Sequence, residues 1–96
     1  MAYCVNLVLT AKPESFADLQ AFMADILPDT AKYDGAQVIT CYADAEKNQV
    51  IVHEIWDSKD HQQAYLKWRV DTGVVDKIGA FVAGPPSFDE YTHVPF

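Results

Sequence analysis

Basic side chains and long apolar runs are the scarcest features of this sequence. Its 96 residues contain seven Lys and Arg against fourteen Asp and Glu, which gives a formal net charge of −7. A surface of that sign repels nucleic acids and anionic lipids. No apolar run approaches the roughly 18 residues that span a bilayer, and no basic segment precedes an apolar one at the N-terminus. We therefore expect no nucleic-acid partner, no membrane partner and a cytoplasmic location.

Motifs for disulfides, metals and nucleotides are also missing. Cys4 and Cys41 fall in apparent strands and lack CxxC spacing, which predicts small buried thiols in a reducing compartment. His53, His61 and His93 are scattered and are not paired at metal-ligand spacing. Neither a GxGxxG motif nor a phosphate-binding glycine loop occurs. The sequence thus predicts no metal site and no bound nucleotide.

What the chain does contain is enough apolar material for one small core. The apolar fraction is 50% and the charged fraction 22%, as in ordinary folded domains. A chain of 96 residues predicts a single domain over residues 1–96. A domain of this length buries a modest share of its surface, so we expect either a very efficient core or burial shared between subunits.

Apolar residues with β-branched enrichment divide the chain into four strands. The predicted strands are Tyr3–Leu9, Ala36–Tyr42, Gln49–Trp56 and Ser87–Val94.

Three helical segments and one short helical turn are predicted between these strands. Apolar side chains recur at three- and four-residue steps from Phe16 to Leu27, after a start at Pro13, and Pro28 is expected to interrupt this helix. A short turn of helix over Pro28–Lys32 follows. A second helix is capped by Asp57 or Ser58 and ends at Gly73, with one face predicted to carry His61, Ala64, Tyr65, Trp68 and Thr72. Residues 74–82 form a third, short helical piece.

The order β-α-β-β-α-β predicts an α+β, ferredoxin-like domain with an antiparallel sheet and helices on one face. Strands two and three are apolar on both sides. Val38 alternates with Ile39 in strand two, and Val52 alternates with Ile51 in strand three. Two helices can cover only one face of a sheet. We therefore expect the second face to meet another copy of the chain, in a sheet-to-sheet homodimer.

The segment His53-Glu54-Ile55-Trp56-Asp57-Ser58, followed by His61 and Tyr65-Leu66, resembles the antibiotic biosynthesis monooxygenase family. That family commonly has a Glu, a Trp two residues later at the end of the third strand, and then an acidic residue and Ser at the helix start. The Gly84-Pro85-Pro86 turn is similar as well. Quinol monooxygenase types continue with His and His-Leu-x-x-x-His, where this chain has His61 and Leu66 but Tyr65 and Val70 in place of the other histidines.

This resemblance implies a dimeric α+β barrel that oxidises a quinol or a polycyclic phenol with O₂ and without a cofactor. The substrate would be deprotonated in a cavity between helices and sheet, and its electron-rich anion would react with O₂ directly. Two alternatives stay open: a small-ligand-binding protein without catalysis, and an isomerase or cyclase that uses proton transfer alone.

Three side chains are candidate catalytic residues. Asn6 is an amide inside an apolar strand, so it either bonds to a neighbouring side chain or faces the cavity and orients substrate or O₂. The resemblance favours the second role, because related haem-degrading and quinone-forming proteins place an Asn here. His53 on the third strand and His61 on the second helix are the candidate bases, each with a packed, structural role as the alternative.

Aromatic and basic residues of the second helix are candidate substrate-binding groups. Tyr65 is a hydrogen-bond donor rather than a base, and Trp68 belongs either to the core or to the cavity wall. Arg69 either holds an anionic substrate or lies in solvent. Trp56 is included as a family match that mainly packs, and Glu54 is given a structural role.

Haem and flavin are disfavoured as cofactors. Haem-degrading relatives use an Asn, a Trp and an axial His. Asn6 fits, but Tyr65 stands at the Trp position and Val75 at the ligand position.

Overall fold

The computed structural model describes residues 2–96 and contains four strands and three α-helices in the predicted order. The elements are β1 (Tyr3–Thr10), α1 (Phe16–Ala31), β2 (Ala36–Asp44), β3 (Gln49–Trp56), α2 (Lys59–Asp71), α3 (Val74–Gly79) and β4 (Ser87–Thr92). A single 3-10 turn at Pro13–Ser15 leads into α1. None of the helices in this described part of the chain has both the length and the apolarity to cross a bilayer.

The strands form one antiparallel sheet in the order β2-β3-β1-β4. The helices pack on one face, so the predicted ferredoxin-like α+β fold is confirmed. Register fixes which side chains share a face, because directly opposed residues of antiparallel strands point to the same side. Val5 opposes Glu54 and Asn6 opposes His53. The two pairs therefore lie on opposite faces of the sheet.

The core has two clusters: one lies between the sheet and α1, and the other consists of Tyr3, Val5 and Trp56 from the sheet with Tyr65 from α2. Leu9, Val50 and Val52 from the strands pack against Leu19 and Met23 from the helix, and each of the five side chains is at most 2% exposed. These strand residues occupy alternate positions, as burial of one sheet face requires. Apolar side chains recur every two residues in β1 and β3 and every three or four residues in α1. These side chains pack together and form one apolar layer.

The expected interruption at Pro28 is wrong, because α1 continues through this residue to Ala31. Proline removes one backbone N–H and so leaves the carbonyl four residues earlier, that of Ala24, without its helical partner. Both Pro28 and Ala24 lie on the exposed side of α1, where water can bond to that carbonyl. The helix therefore continues past Pro28 and includes the buried Thr30 in its last turn.

Helix α2 begins and ends where the sequence predicts. The Ser58 side chain caps it by accepting a hydrogen bond from the His61 amide, and Gly73 follows its last turn with a left-handed φ of 81°. Helix α3 is shorter than predicted. The residues after it turn back to β1 instead, because the amides of Lys12 and Ala83 bond to the carbonyls of Phe81 and Thr10.

Three strands differ from their predicted lengths, and β1 extends one residue further than predicted, to Thr10. β2 extends to Asp44, whose carboxylate accepts hydrogen bonds from the amides of Glu46 and Lys47 and so closes the hairpin. β4 ends at Thr92, two residues before the predicted end, and all six of its residues are exposed.

The face of the sheet away from the helices is partly apolar. Val38, Tyr42 and Tyr91 on this open face are 42%, 61% and 54% exposed, and Val8 and Ile51 lie beside them in register. A row of polar side chains crosses its middle: Thr40, His53, Asn6 and Asp89 are cross-strand neighbours. The Thr40 hydroxyl is buried and has no hydrogen-bond partner in residues 2–96.

Candidate active site

A cavity of about 220 Å³ lies between the sheet and the three helices. Three residues at its edge, Val70, Val75 and Phe88, are exposed and mark its opening. Its remaining apolar walls come from both layers: Leu7, Leu9, Met23, Ile26, Leu27, Val52, Leu66, Val74, Ile78 and Pro86. Four polar side chains also line it, Glu54, Gln62, Tyr65 and Arg69. A few polar groups in an apolar concave wall are typical of small-molecule sites.

Glu54 is the acidic group of the cavity. The alternation of β3 directs Val50, Val52, Glu54 and Trp56 toward the helices, and Glu54 is only 4% exposed. Burial raises its pKa to about 7, although the Trp56 indole N–H, which donates to Oε1 over 2.9 Å, acts in the opposite direction. A carboxyl group with this pKa exchanges its proton near neutral pH, which suits a general base or acid.

Arg69 is the basic group of the cavity, and the alternative that placed it in solvent is wrong. The buried face of α2 carries Gln62, Tyr65 and Arg69, one position away from the predicted His61 and Trp68. Arg69 donates from Nε to the Tyr65 hydroxyl and from Nη2 to the Thr30 hydroxyl and the Ile26 carbonyl, over 2.8–3.0 Å. These neutral oxygens hold the guanidinium in place at the cavity wall.

The hydroxyls of Thr30 and Tyr65 complete this network, since they lie 2.6 Å apart. Thr30 is fully buried on α1. The network therefore ties α1 to α2 directly beside the cavity, and it fixes the Tyr65 ring that forms part of the wall.

Trp56 and Trp68 pack behind the cavity and do not line it. Trp56 is fully buried, with its ring centroid 5.0 Å from that of Tyr65. Trp68 stacks on Tyr33 at 5.1 Å, and the Arg69 guanidinium carbon lies 4.3 Å from its ring centroid. Of the four residues predicted to bind substrate, the structure brings Tyr65 and Arg69 into the cavity and places the two tryptophans in the supporting layer.

Asn6 and His53 lie on the open face of the sheet, opposite the cavity. Asn6 Oδ1 is 2.7 Å from His53 Nδ1, so the alternative in which Asn6 bonds to a neighbouring side chain is the one observed. The expectation that its amide faces the cavity is wrong, because Val5 and Leu7 occupy the helix-facing positions on either side of it.

His61 lies at the start of α2, outside the cavity. Its Nδ1 is 2.6 Å from the Ser58 hydroxyl, and its Nε2 is 3.8 Å from a carboxylate oxygen of Asp34. Its ring also packs against Gly35, which has a φ of 87°. The structure therefore does not bring together Asn6, His53 and His61 at one cavity, and their catalytic roles stay predictions.

Sequence reasoning missed Glu54 and Gln62 as cavity residues. The signal for Glu54 was present, since it occupies an alternate position between Val52 and Trp56, two apolar residues. A carboxyl at such a position points into the core, where an ionisable group is unusual. Gln62 carries no comparable signal, because its neighbours on α2 are polar as well.

Residues 2–96 contain no group of three or more His, Cys, Asp or Glu side chains that could hold a metal ion. The cavity wall carries no histidine or cysteine, and Val75 has no atom that could ligate iron.

No family model matches this sequence. No curated protein matches it either.

Solved structures resemble the chain over nearly its whole length. A Deinococcus radiodurans protein, provisionally named an antibiotic biosynthesis monooxygenase, aligns with a TM-score of 0.85 at 18% identity, over 98% of this chain and 94% of its own. A Streptomyces coelicolor monooxygenase in complex with the ligand nanaomycin D aligns with a TM-score of 0.79 at 12% identity, over 99% and 89%. A Nitrosomonas europaea protein of unknown function gives 0.80 at 18% identity, over 99% and 95%.

TM-scores of 0.79–0.85 establish a common fold, whereas identities of 12–18% leave the reaction open. The resemblance read from the sequence is thereby confirmed at the level of fold: this chain has the fold of the antibiotic biosynthesis monooxygenases.

Proposed function

We propose that this protein is a monooxygenase that binds a quinol or phenol in the cavity and uses Glu54 as the base. The observation that carries the proposal is the position of the Glu54 carboxyl, which is buried and lines a mostly apolar cavity. The fold shared with the Streptomyces coelicolor monooxygenase supports it. Glu54 takes the place that the sequence analysis gave to His53 or His61, because neither histidine lines the cavity.

The chemistry needs a base and a site from which water is excluded. Glu54 removes a proton from a substrate hydroxyl, and the resulting anion gives up electrons to O₂ more readily than the neutral quinol does. For a hydroquinone the balance is quinol + O₂ → hydroxyquinone + H₂O. One oxygen atom enters a ring C–H bond, and the other leaves as water with the two hydroxyl hydrogens. The ring supplies all four electrons, so the proposed reaction requires no bound cofactor.

Cavity size limits the substrate. An apolar cavity of about 150 Å³ is large enough to bind benzene. The 220 Å³ available here fits one aromatic ring or a small two-ring system. A larger polycyclic phenol would extend through the opening between Val70, Val75 and Phe88, whose apolar side chains would contact it.

A reaction by proton transfer alone is the second candidate, and the same carboxyl favours it. A group that titrates near pH 7 can both accept and donate a proton, as an isomerase or cyclase requires. Binding without any reaction is the third candidate.

Oxygen uptake with a panel of hydroquinones and anthrone-like phenols, without added flavin or metal, separates these functions. Enzyme-dependent O₂ consumption with one oxygen atom incorporated into product is the result expected for the proposal. A product isomeric with its substrate and no O₂ uptake would establish the isomerase instead. Saturable binding without any product would leave a ligand-binding protein.

We also propose that the chain forms a homodimer through the open face of the sheet. Exposed Val38, Tyr42 and Tyr91 support this, because monomers rarely leave so many large apolar side chains on one face. Both cysteines are free thiols, which supports a cytoplasmic location, but the expectation that they are buried is wrong for Cys41, which is exposed.

A further inference from the structure

We propose that Arg69 and Tyr65 form a subsite for an oxygen anion, so that the substrate is a hydroxylated aromatic compound with a carboxylate or an ionised hydroxyl opposite Glu54. This inference rests on the proposed function, because it names the substrate class of the same cavity. Its test measures binding, which does not depend on oxygen chemistry.

The charge of Arg69 is left unpaired in the cavity. Glu54 and Arg69 line the same cavity, yet within residues 2–96 they form neither an ion pair nor a hydrogen bond with each other. The three acceptors of Arg69 are neutral oxygens, which satisfy its hydrogen bonds without cancelling its charge. Buried charges in proteins are ordinarily paired. A ligand that carries an anionic oxygen would supply the missing counter-charge.

The donor hydrogens of Arg69 and Tyr65 are not all used within the chain. Arg69 has five N–H groups. Its Nε and both hydrogens of Nη2 are taken by Tyr65, Thr30 and Ile26, which leaves the two hydrogens of Nη1 without a partner in the described chain. The hydroxyls of Thr30 and Tyr65 share one hydrogen bond, so one of their two hydrogens is also left. Thr30 is fully buried and does not line the cavity, whereas Tyr65 does, and we assign that hydrogen to Tyr65.

The Arg69 cation is held rigidly and acts locally. Trp68 covers the guanidinium at 4.3 Å from its ring centroid, and α1 and α2 both contribute to its hydrogen bonds. The chain as a whole carries −7 and repels anions. A preference for an anionic ligand would therefore originate at this subsite.

The two charged groups also orient the ligand. Glu54 lies on β3 and Arg69 on α2, so an aromatic ring between them has one acidic and one basic neighbour. The anionic oxygen points to Arg69 and Tyr65, and a neutral hydroxyl points to Glu54, which can then remove its proton. The subsite thus determines which hydroxyl reacts.

The test compares 4-hydroxybenzoate with 4-hydroxybenzamide, which has the same shape and no charge. Calorimetry at pH 7.5 is expected to show at least tenfold tighter binding of the carboxylate, since hydrogen bonds to charged groups are the stronger ones. Arg69→Gln should abolish this preference, and Tyr65→Phe should reduce it severalfold. Lys67→Gln is the matched control, because it removes the same charge from an exposed position on the same helix and should leave the preference unchanged.

A second probe, 4-nitrophenol, distinguishes an ionised hydroxyl from a carboxylate as the natural anion. Binding that produces the phenolate absorbance at a pH where the free phenol is neutral would support the ionised hydroxyl. Equal affinity for acid and amide, together with no ionisation of bound nitrophenol, would overturn the inference. If Arg69→Gln does not fold, the wild-type comparison of acid with amide decides alone. Oxygen uptake with a neutral quinol would then test the proposed function separately.

Discussion

Glu54 is the residue on which the proposed chemistry depends. Its carboxyl is buried among apolar side chains and accepts one hydrogen bond, from the Trp56 indole. That environment makes the charged form costly and keeps the proton at a pH where other carboxyl groups have lost theirs. A base of this kind can accept or donate a proton at neutral pH. Its raised pKa also makes the free energy of unfolding depend on pH.

Stability should fall as the pH rises from about 4.5 to about 7. The folded pKa of Glu54, about 7, lies above the value of 4.5 for the free side chain, so in this window the folded chain binds the extra proton. Across this window the free energy of unfolding falls by up to about 3 kcal/mol, since each pKa unit corresponds to about 1.36 kcal/mol. Above pH 7 the ionisation of Glu54 causes no further loss.

Glu54→Gln is expected to remove this dependence and to be more stable than the wild type at pH 8. Urea denaturation at pH 5 and pH 8 measures the effect. Glu46→Gln, in the exposed hairpin, is the matched control and should follow the wild type. A Glu54→Gln protein with the wild-type change between the two pH values would contradict the account.

Tyr65→Phe should lower the free energy of unfolding by about 2 kcal/mol. The change removes the oxygen that accepts from Arg69 Nε and leaves a buried donor unsatisfied, which costs about 1–3 kcal/mol. Tyr33→Phe offers a matched control in the same aromatic cluster, because its hydroxyl makes only an exposed contact of 3.5 Å. Chemical denaturation of both variants checks the difference, and equal losses would show that the Arg69 network adds nothing to stability.

At the scale of elements, the junction between α1 and β2 depends on Gly35. Its φ of 87° favours glycine, and an added Cβ would lie 2.5 Å from the His61 ring. Gly73 has a similar φ of 81°, yet nothing lies within 4 Å of its added Cβ. Alanine at Gly73 would therefore introduce backbone strain alone, whereas alanine at Gly35 would introduce backbone strain and a steric clash.

Gly35→Ala should be the more destabilising of the two substitutions. Gly73→Ala is expected to cost about 1–2 kcal/mol, the penalty of a left-handed backbone for a residue with a Cβ. Gly35→Ala adds the clash with His61 and should displace the start of α2. Thermal melts of both variants test this, and a Gly73→Ala protein that is as unstable as Gly35→Ala would contradict it.

Element boundaries could be predicted where local chemistry decides them. The limits of β3, the Ser58 cap and the stop at Gly73 all follow from the pattern of neighbouring residues. Pro28 was wrongly predicted, because solvent access to one carbonyl depends on which side of α1 faces out. Asn6 was placed on the wrong side because a family likeness outweighed the alternation of β1. The burial of Arg69 depends on Thr30 and Ile26, which lie about 40 residues earlier, and no local pattern encodes that contact.

At the scale of the whole molecule, both faces of the sheet are occupied in the proposed account. One face forms the cavity with the helices, and the other meets a second chain. The polar row of Thr40, His53, Asn6 and Asp89 then lies at the centre of the interface. The small size of the chain fits this arrangement, because sharing the open face adds to a core that 96 residues can build only modestly.

The native mass should therefore be twice the chain mass of 10.7 kDa. Ile51→Glu places a charge in an apolar part of the open face and should yield monomers, since an unpaired charge is costly in a buried interface. Ala17→Glu places the same charge on an exposed position of α1 and should stay dimeric. Light scattering after size exclusion distinguishes these outcomes, and a wild-type monomer at micromolar concentration would refute the interface.

The most direct test of the central claim is the pH dependence of kcat/KM for quinol-dependent O₂ uptake, corrected for autoxidation, in the wild type and in Glu54→Gln. The account predicts a wild-type value that rises tenfold per pH unit up to about 7 and then levels, as deprotonation of Glu54 requires. The variant should be about 100- to 10,000-fold slower and lack this rise. A Glu54→Gln protein with the wild-type rate and pH profile would contradict the claim that this carboxyl is the base.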